Sequence, residues 1–168
     1  MSYISRDTKL DYSGDDTVVF EYEWTLDTNA FADGDVMSAL IEIPNAVSAV
    51  GGTGAIKSVS LLHKAGSGAA QSPNIHIAFF KKSFTPAAIN AAMTYAGELE
   101  DIVSVQVTGS NSWNDITSAV NISEIFSIGY SFQAADDQTS LWAIAICREA
   151  VTYTASSKLL LRVAITRD

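Results

Sequence analysis

The most informative part of the sequence is Ala55–Lys82, AIKSVSLLHKAGSGAAQSPNIHIAFFKK. Two apolar runs that are rich in β-branched and aromatic residues, Ile56–His63 and Ile75–Phe80, flank a small polar loop with glycines and a proline. A loop of this kind between two strand-like runs is typical of a β-hairpin. The stretch therefore predicts a hairpin at the centre of an all-β domain.

Both faces of this predicted hairpin carry apolar residues. Folding the loop symmetrically places His63 opposite His76, on a face that also carries Leu61. Because side chains alternate along a strand, Leu62 and Ile77 share the other face. A surface strand of a sandwich alternates apolar and polar residues instead. We therefore expect both faces to be covered, either by the rest of the fold or by another subunit, and we take the three apolar residues as candidate interface residues.

Strand patterns continue on both sides of the central stretch. Further alternating or apolar runs occur at Thr17–Leu26, Val36–Ile43, Ile102–Val107, Ile125–Phe132, Leu141–Cys147 and Leu159–Thr166. Thr85 is a candidate N-cap and Pro86 suits the first helical position before an Ala-rich run, so one short helix is predicted over about residues 86–96. About eight strands, one helix and no βαβ alternation predict a β-sandwich.

The length and composition favour a single domain that works by contact. The 168 residues are enough for one well-buried core. We predict a single domain over residues 17–168, preceded by a flexible or partner-docked arm, Met1–Asp16, whose polar sequence buries little. Charged residues make up only 17% of the chain, which favours subunit contacts, and the net charge of −9 argues against nucleic-acid binding.

Targeting signals are missing from the sequence as it stands. The polar N-terminus has no apolar core of a signal peptide, and no apolar run reaches the about 18 residues that a membrane span needs. We expect no membrane partner, and a protein that is made and used in a cytoplasm or assembled there into something larger.

No motif points to catalysis or to a cofactor. His63 and His76 are the only histidines, and as cross-strand neighbours they could hold a metal, but no further ligand is linked to them by local spacing. Cys147 lies in an apolar run and is interpreted as a small buried hydrophobe. We therefore predict no catalytic, cofactor-binding or metal residues, and keep a cupin-like metal enzyme based on the two histidines only as an alternative.

Two aromatic residues are the remaining interaction signal. Trp113 lies in a Gly/Ser/Asn-rich stretch and Tyr153 in a Thr/Ser-rich loop. Aromatic residues are enriched where proteins meet, which makes both candidates for a contact surface. They could equally close the open ends of the sandwich, and stacking of a sugar on Trp113 is a third reading.

Two segments carry a resemblance to a known family. The central SVSLLHKAGSGAAQSPNIHIAFFKKSFTPAAINAA and the ending LWAIAICREAVTYTASSKLLLRVAI resemble the small jelly-roll head decoration (cement) proteins of tailed bacteriophages. The shared pattern is a helix after the central hairpin, a late aromatic strand with Trp142, and a closing apolar strand after Tyr153-Thr154. It spans roughly Thr17–Asp168.

The resemblance implies a fold and a function. It implies a β-sandwich of jelly-roll type and a non-enzymatic virion protein, a homotrimer that binds the major capsid protein on the outer capsid surface and stabilises the head. It carries no catalytic residues or cofactors. The alternative from another functional class is a carbohydrate-binding jelly-roll module of a phage tail or receptor-binding protein, with Trp113 or Tyr153 as the stacking platform.

Overall fold

The computed structural model of the chain describes residues 8–12, 15–109, 112–125 and 128–168. This described part contains eleven β-strands and one short 3-10 helix, Leu99–Asp101. The strands are β1 (Thr8–Tyr12), β2 (Asp15–Thr25), β3 (Ile41–Ile43), β4 (Thr53–Lys64), β5 (Ile75–Phe80), β6 (Ile102–Thr108), β7 (Trp113–Thr117), β8 (Val120–Ile125), β9 (Tyr130–Gln133), β10 (Leu141–Cys147) and β11 (Lys158–Arg167).

The strands form two antiparallel sheets whose order identifies the fold. The larger sheet runs β1-β2-β11-β4-β8-β7, with β9 paired to the first part of β4, and the smaller sheet runs β3-β10-β5-β6. The central four strands β2-β11-β4-β8 face β3-β10-β5-β6, and the chain passes repeatedly from one sheet to the other. This is the strand order of a jelly roll, in which two Greek keys build a sandwich. The predicted all-β jelly-roll sandwich is confirmed.

The core lies between the sheets and follows directly from strand alternation. In β11 every second residue from Leu159 to Ile165 points inward and is buried, while the residues between them are half-buried on the outer face. The inward residues pair with aromatic residues of β2, with Leu159 opposite Trp24 and Leu161 opposite Tyr22. Burial of each Leu or Ile side chain contributes about 1.5–3 kcal/mol, so this row alone supplies a large share of the stability.

The predicted central hairpin is wrong, because β4 and β5 belong to different sheets. β4 pairs with β11, β8 and β9, whereas β5 pairs with β10 and β6. Residues 65–74 cross from one sheet to the other, so His63 does not lie opposite His76. The face-to-face arrangement lets both strands point an apolar row into one shared core, which a flat hairpin cannot do.

The predicted helix over residues 86–96 is also wrong. The segment is irregular, and long-range backbone hydrogen bonds hold it: the N–H of Val36 donates to the carbonyl of Ala91 at 2.9 Å, and the N–H of Met93 donates to that of Gly34 at 2.8 Å. Asn90 has φ 64°, a left-handed conformation that does not occur inside an α-helix. Long-range backbone hydrogen bonds take the place of the i to i−4 hydrogen bonds of a helix in this segment.

This irregular segment covers the outer face of the smaller sheet. Phe84 and Tyr95 pack on Phe80 of β5, with ring centroids 4.7 and 5.0 Å away, and they also contact each other at 4.9 Å. Met93 joins them in a second apolar cluster that includes Ile144 of β10. The second apolar face of β5 is therefore covered by the same chain and not by another subunit.

The predicted N-terminal arm falls only partly on described residues. Thr8–Tyr12 forms β1, which pairs antiparallel with β2 at the edge of the larger sheet. Residues 1–7, 13 and 14 of the predicted arm lie outside the described residues. The division into an arm and a domain over residues 17–168 stays a prediction.

Candidate functional site

The sandwich divides the five predicted contact residues into buried and accessible positions. Leu61, Ile77 and Tyr153 lie in the core, with exposed fractions of 0%, 0% and 3%. They cannot touch another molecule while the two sheets stay packed, which corrects their selection as interface candidates. Leu62 and Trp113 are only half-buried, and their interface role stays a prediction.

Tyr153 closes one end of the sandwich. Its ring meets those of Phe31 and His63 edge to face, with centroids 5.9 and 5.2 Å away. Burial raises the pKa of its phenol well above the ordinary value, with smaller contributions from Cys147 and Glu149. A ring held in this way cannot serve as a stacking platform for a sugar, so the structure favours the end-closing reading of this residue.

Trp113 is anchored at the start of β7. Its indole N–H donates to the carbonyl of Pro73 at 2.9 Å, and its ring packs against the main core. Pro73 belongs to the segment that crosses between the sheets, so Trp113 ties this crossing to the edge of the larger sheet. Only part of its ring is left for contact with another molecule.

The two histidines do not form a site together. His63 points into the core from β4 and is 1% exposed, with its Nδ1 atom 3.0 Å from the carbonyl oxygen of Gln71. Burial lowers its pKa, and that backbone contact opposes the shift. His76 is half-buried on β5, where burial and the guanidinium of Arg148 lower its pKa, opposed by Asp33.

The metal alternative therefore loses the geometry on which it was built. Among residues 8–12, 15–109, 112–125 and 128–168, no three His, Cys, Asp or Glu side chains come together as a metal site requires. Cys147 is buried, as expected for a small hydrophobe, and burial raises the pKa of its thiol.

An apolar row crosses the outer face of the larger sheet. Leu62 of β4 lies directly between Leu160 of β11 and Ile122 of β8, so that three apolar side chains from adjacent strands stand side by side. All three are half-buried. Val120 of β8 lies two residues from Ile122 on the same face and is also half-buried. We call these four residues the apolar row.

The surroundings of the apolar row are charged. Arg162 and Glu21, on the same outer face, form an ion pair with Nε and Oε1 2.5 Å apart, and Lys158 pairs with Glu23 at 3.1 Å. An apolar centre inside a polar rim is the usual layout of a protein–protein interface. The outer face of an antiparallel sheet that meets only water is expected to be polar.

Sequence reasoning found only one member of this row. Leu62 was a candidate, whereas Leu160, Ile122 and Val120 were not. The signal for Leu160 was present, since it is an apolar residue in a series that continues with Arg162 and Thr166 on the outer face of the last strand. The neighbouring strands could not be known without the sheet order.

A shallow groove lies on the opposite side of the molecule. It has a volume of about 550 Å³ and runs between the irregular residues 83–89 and Trp142 of the smaller sheet. Trp142 and Phe84 supply aromatic surface, and Ser83 and Thr85 supply hydroxyl groups. None of these residues was a site candidate from the sequence.

In the described residues no helix is long and apolar enough to cross a membrane. No family model and no curated protein matches the chain.

Three solved structures that show a weak likeness to the chain are viral. The chain is similar to the acidic stable capsid structure of Helicobacter pylori bacteriophage KHP30, at 10% identity over 97% of this chain and 91% of that one, with a TM-score of 0.34. It is similar to Desmodium yellow mottle tymovirus at 14% identity, over 99% and 94%, with a TM-score of 0.30. It is also similar to Triatoma virus at 11% identity, over 84% and 61%, with a TM-score of 0.27. TM-scores of this size carry no argument about function, and the jelly-roll assignment rests on the strand order.

Proposed function

We propose that the chain is a non-enzymatic virion structural protein, a decoration or cement protein that binds the outer surface of a bacteriophage head and stabilises it. The observation that carries the proposal is the apolar row, an outward-facing set of side chains on three adjacent strands, with Leu62 at its centre. A protein with a well-filled core of its own keeps such a surface for contact with other chains. The sequence resemblance to decoration proteins supports the same conclusion.

The partners of the proposed function are further copies of the chain and the major capsid protein. Three copies related by a three-fold axis use two different patches for one contact, and the apolar row supplies one such patch. A surface that makes hydrophobic contacts binds without cofactor or chemistry, in keeping with a role by contact alone. Assembly takes place in the bacterial cytoplasm, where the phage head is built.

The test uses the purified chain and heads of its own phage that lack it. The wild-type protein is expected to be a trimer by light scattering, to bind these heads and to raise the temperature at which they break. Leu62→Glu places a charge in the centre of the apolar row and should abolish binding while the melting temperature of the isolated chain is kept. A wild-type chain that stays monomeric and leaves the heads unaltered would sink the proposal.

The matched control is Ser58→Glu. Ser58 lies on β4 opposite Ala164, four residues from Leu62, or about 13 Å along the strand. It adds the same charge outside the apolar row and should leave trimer formation and head binding intact. Equal loss in both variants would mean that charge alone, and not the row, is responsible.

The alternative, a carbohydrate-binding module of a tail or receptor-binding protein, is favoured by one observation. The groove beside the smaller sheet combines the aromatic surface of Trp142 and Phe84 with hydroxyl groups, a combination suited to sugar rings. A glycan-array signal that Trp142→Ala abolishes and Trp113→Ala leaves unchanged would support this function. Absence of any glycan signal with the wild-type chain would exclude it.

A further inference from the structure

The open edges of the two sheets differ in how they are protected. Natural proteins protect an edge strand by making it short, by placing charges or proline on it, or by a bulge. β3 has three residues and includes Glu42, β9 has four residues, and β7 carries Asp115 beside a register shift. β1 has Lys9 and Asp11 in its sequence. These four described edges each show one of the protective devices.

β6 is the exception among the described edges. It has seven residues, IVSVQVT, without a charge or a proline, and it pairs only with β5. The one irregularity lies at its start, between Phe79 and Phe80 of β5, and leaves Ser104–Thr108 regular. Alternate N–H and C=O groups of an edge strand point away from the sheet, so β6 presents a regular row of them.

From Ser104 to Thr108, the apolar side chains of β6 lie on one face of the strand and the polar side chains on the other. Val105 and Val107 lie opposite Ala78 and His76 on the outer face, and they are 45% and 53% exposed. Ser104 and Gln106 share the inner face, where the amide of Gln106 donates to the hydroxyl of Ser104 at 3.3 Å. Thr108 is opposite Ile75 on the same inner face.

We propose that β6 pairs antiparallel with β6 of a second copy of the chain, in the register that puts Gln106 opposite its own counterpart. This two-fold contact is separate from the three-fold contact of the proposed trimer and weaker than it, so that it joins two trimers only at higher protein concentration. In this register Val105 of each copy lies opposite Val107 of the other, and Ser104 lies opposite Thr108. Directly opposite residues in an antiparallel pair share a face, so apolar side chains meet apolar ones and polar side chains meet polar ones. A shift by one residue would put valine against glutamine.

The charges near β6 favour the antiparallel direction and are compatible with a second copy as the partner. Glu98 and Glu100 precede β6, whereas Gly109 follows it; the nearby Asp101 is paired with Lys82 at 3.1 Å. A parallel pair would bring both acidic groups together, while the antiparallel pair sets them at opposite ends of the joint sheet. In a chain of net charge −9, an uncharged edge is the place where two copies approach with least repulsion.

Disulfide trapping tests the register directly. Gln106→Cys places two cysteines opposite each other across the two-fold axis, within the range of Cα separations that a disulfide spans. Mild oxidation should convert most of this variant to a covalent dimer on a non-reducing gel. The native Cys147 is buried and gives no background.

Ser104→Cys is the matched control. It lies on the same face of β6, but in the proposed register its own counterpart is four residues away, about 13 Å along the strand. It should stay uncrosslinked under the same conditions, whereas a mixture of Val105→Cys and Val107→Cys should form the mixed dimer. A Gln106→Cys chain that remains monomeric, or a Ser104→Cys chain that crosslinks as readily, would overturn the proposal.

A second measurement separates this contact from the proposed head-binding surface. Val107→Lys introduces a charge into both valine pairs of the dimer and should weaken association about tenfold in sedimentation equilibrium. Leu62→Glu, on the other sheet, should leave the Gln106→Cys crosslink unchanged. Loss of head binding by Leu62→Glu with the crosslink kept would show two independent surfaces; loss of the crosslink in that variant would contradict the β6 pairing.

Discussion

His63 and Tyr153 meet edge to face inside one end of the sandwich, with their ring centroids 5.2 Å apart. The first comes from the larger sheet and the second from the loop between β10 and β11. Both are almost fully buried. The imidazole therefore lies where a positive charge would have little solvation, and the stability of this end of the fold depends on keeping His63 neutral.

The first prediction concerns pH. Burial lowers the pKa of His63 below its ordinary 6.5, so the unfolded chain binds a proton at a pH where the native chain does not. The free energy of unfolding should thus fall as the pH drops through about 6.5. His76 contributes with the same sign.

Urea denaturation at pH 7.5 and 5.5 measures this effect. His63→Gln removes the more deeply buried of the two imidazoles. It should therefore reduce the pH dependence of the unfolding free energy more than His76→Gln does. A wild-type stability that rises as the pH falls over this range would contradict the prediction.

The second prediction concerns the phenol of Tyr153. Its hydroxyl is buried and has no hydrogen-bond partner among the described residues. Tyr153→Phe removes a polar group that is costly to bury and keeps both ring contacts, so the stability should be unchanged or higher by up to about 1 kcal/mol. Tyr153→Ala should cost about 3–5 kcal/mol through the cavity that it leaves. Equal losses in both variants by urea denaturation would show that the hydroxyl has a partner.

The third prediction compares two neighbours on β4. Leu61 is fully buried, whereas Leu62 is half-buried on the outer face. Leu61→Ala should cost about 2–5 kcal/mol of folding stability, and Leu62→Ala should cost under about 1 kcal/mol. Denaturation at a protein concentration where the chain is monomeric separates folding from assembly. A reversed order would mean that β4 is shifted by one residue.

The fourth prediction concerns the cover over the smaller sheet. Phe84→Ala removes one of the two rings that pack on Phe80 and should cost about 1–3 kcal/mol. Hydrogen exchange should become faster in residues 84–95 before the rest of the chain. Ile89→Ala, in the same segment but 44% exposed, is the control and should change little. Uniformly faster exchange would show that the cover and the sandwich open together.

The sequence predicted the class of the fold better than its connections. Strand alternation predicted β-strands at Thr17–Leu26 and Leu159–Thr166, because that pattern is local, but it did not show that Leu61 faces the core. It could not show that β4 pairs with β11, more than 90 residues away along the chain. The hairpin was a reasonable local inference that failed because a jelly roll sends successive strands to opposite sheets.

The helix failed for a related reason. Thr85, Pro86 and the alanines are good helix signals. Burial of the apolar surface of Phe80 and Ile144 by this segment outweighs that local preference. An extended path with Asn90 in the left-handed region reaches across the sheet and lets Val36 supply backbone partners. Three of the five contact candidates are buried for a similar reason, because the type of an apolar residue in a strand does not show whether it faces the core or a partner.

The irregular cover gives the molecule two unlike sides. The outer face of the smaller sheet is covered by a segment of the same chain, while the outer face of the larger sheet carries the half-buried apolar row. A subunit that attached through that row would turn the segment around Ile89 toward the solvent. Peptides or fluorophores inserted there would then be displayed on the particle exterior, and their accessibility to antibodies would report directly on the orientation of every bound copy.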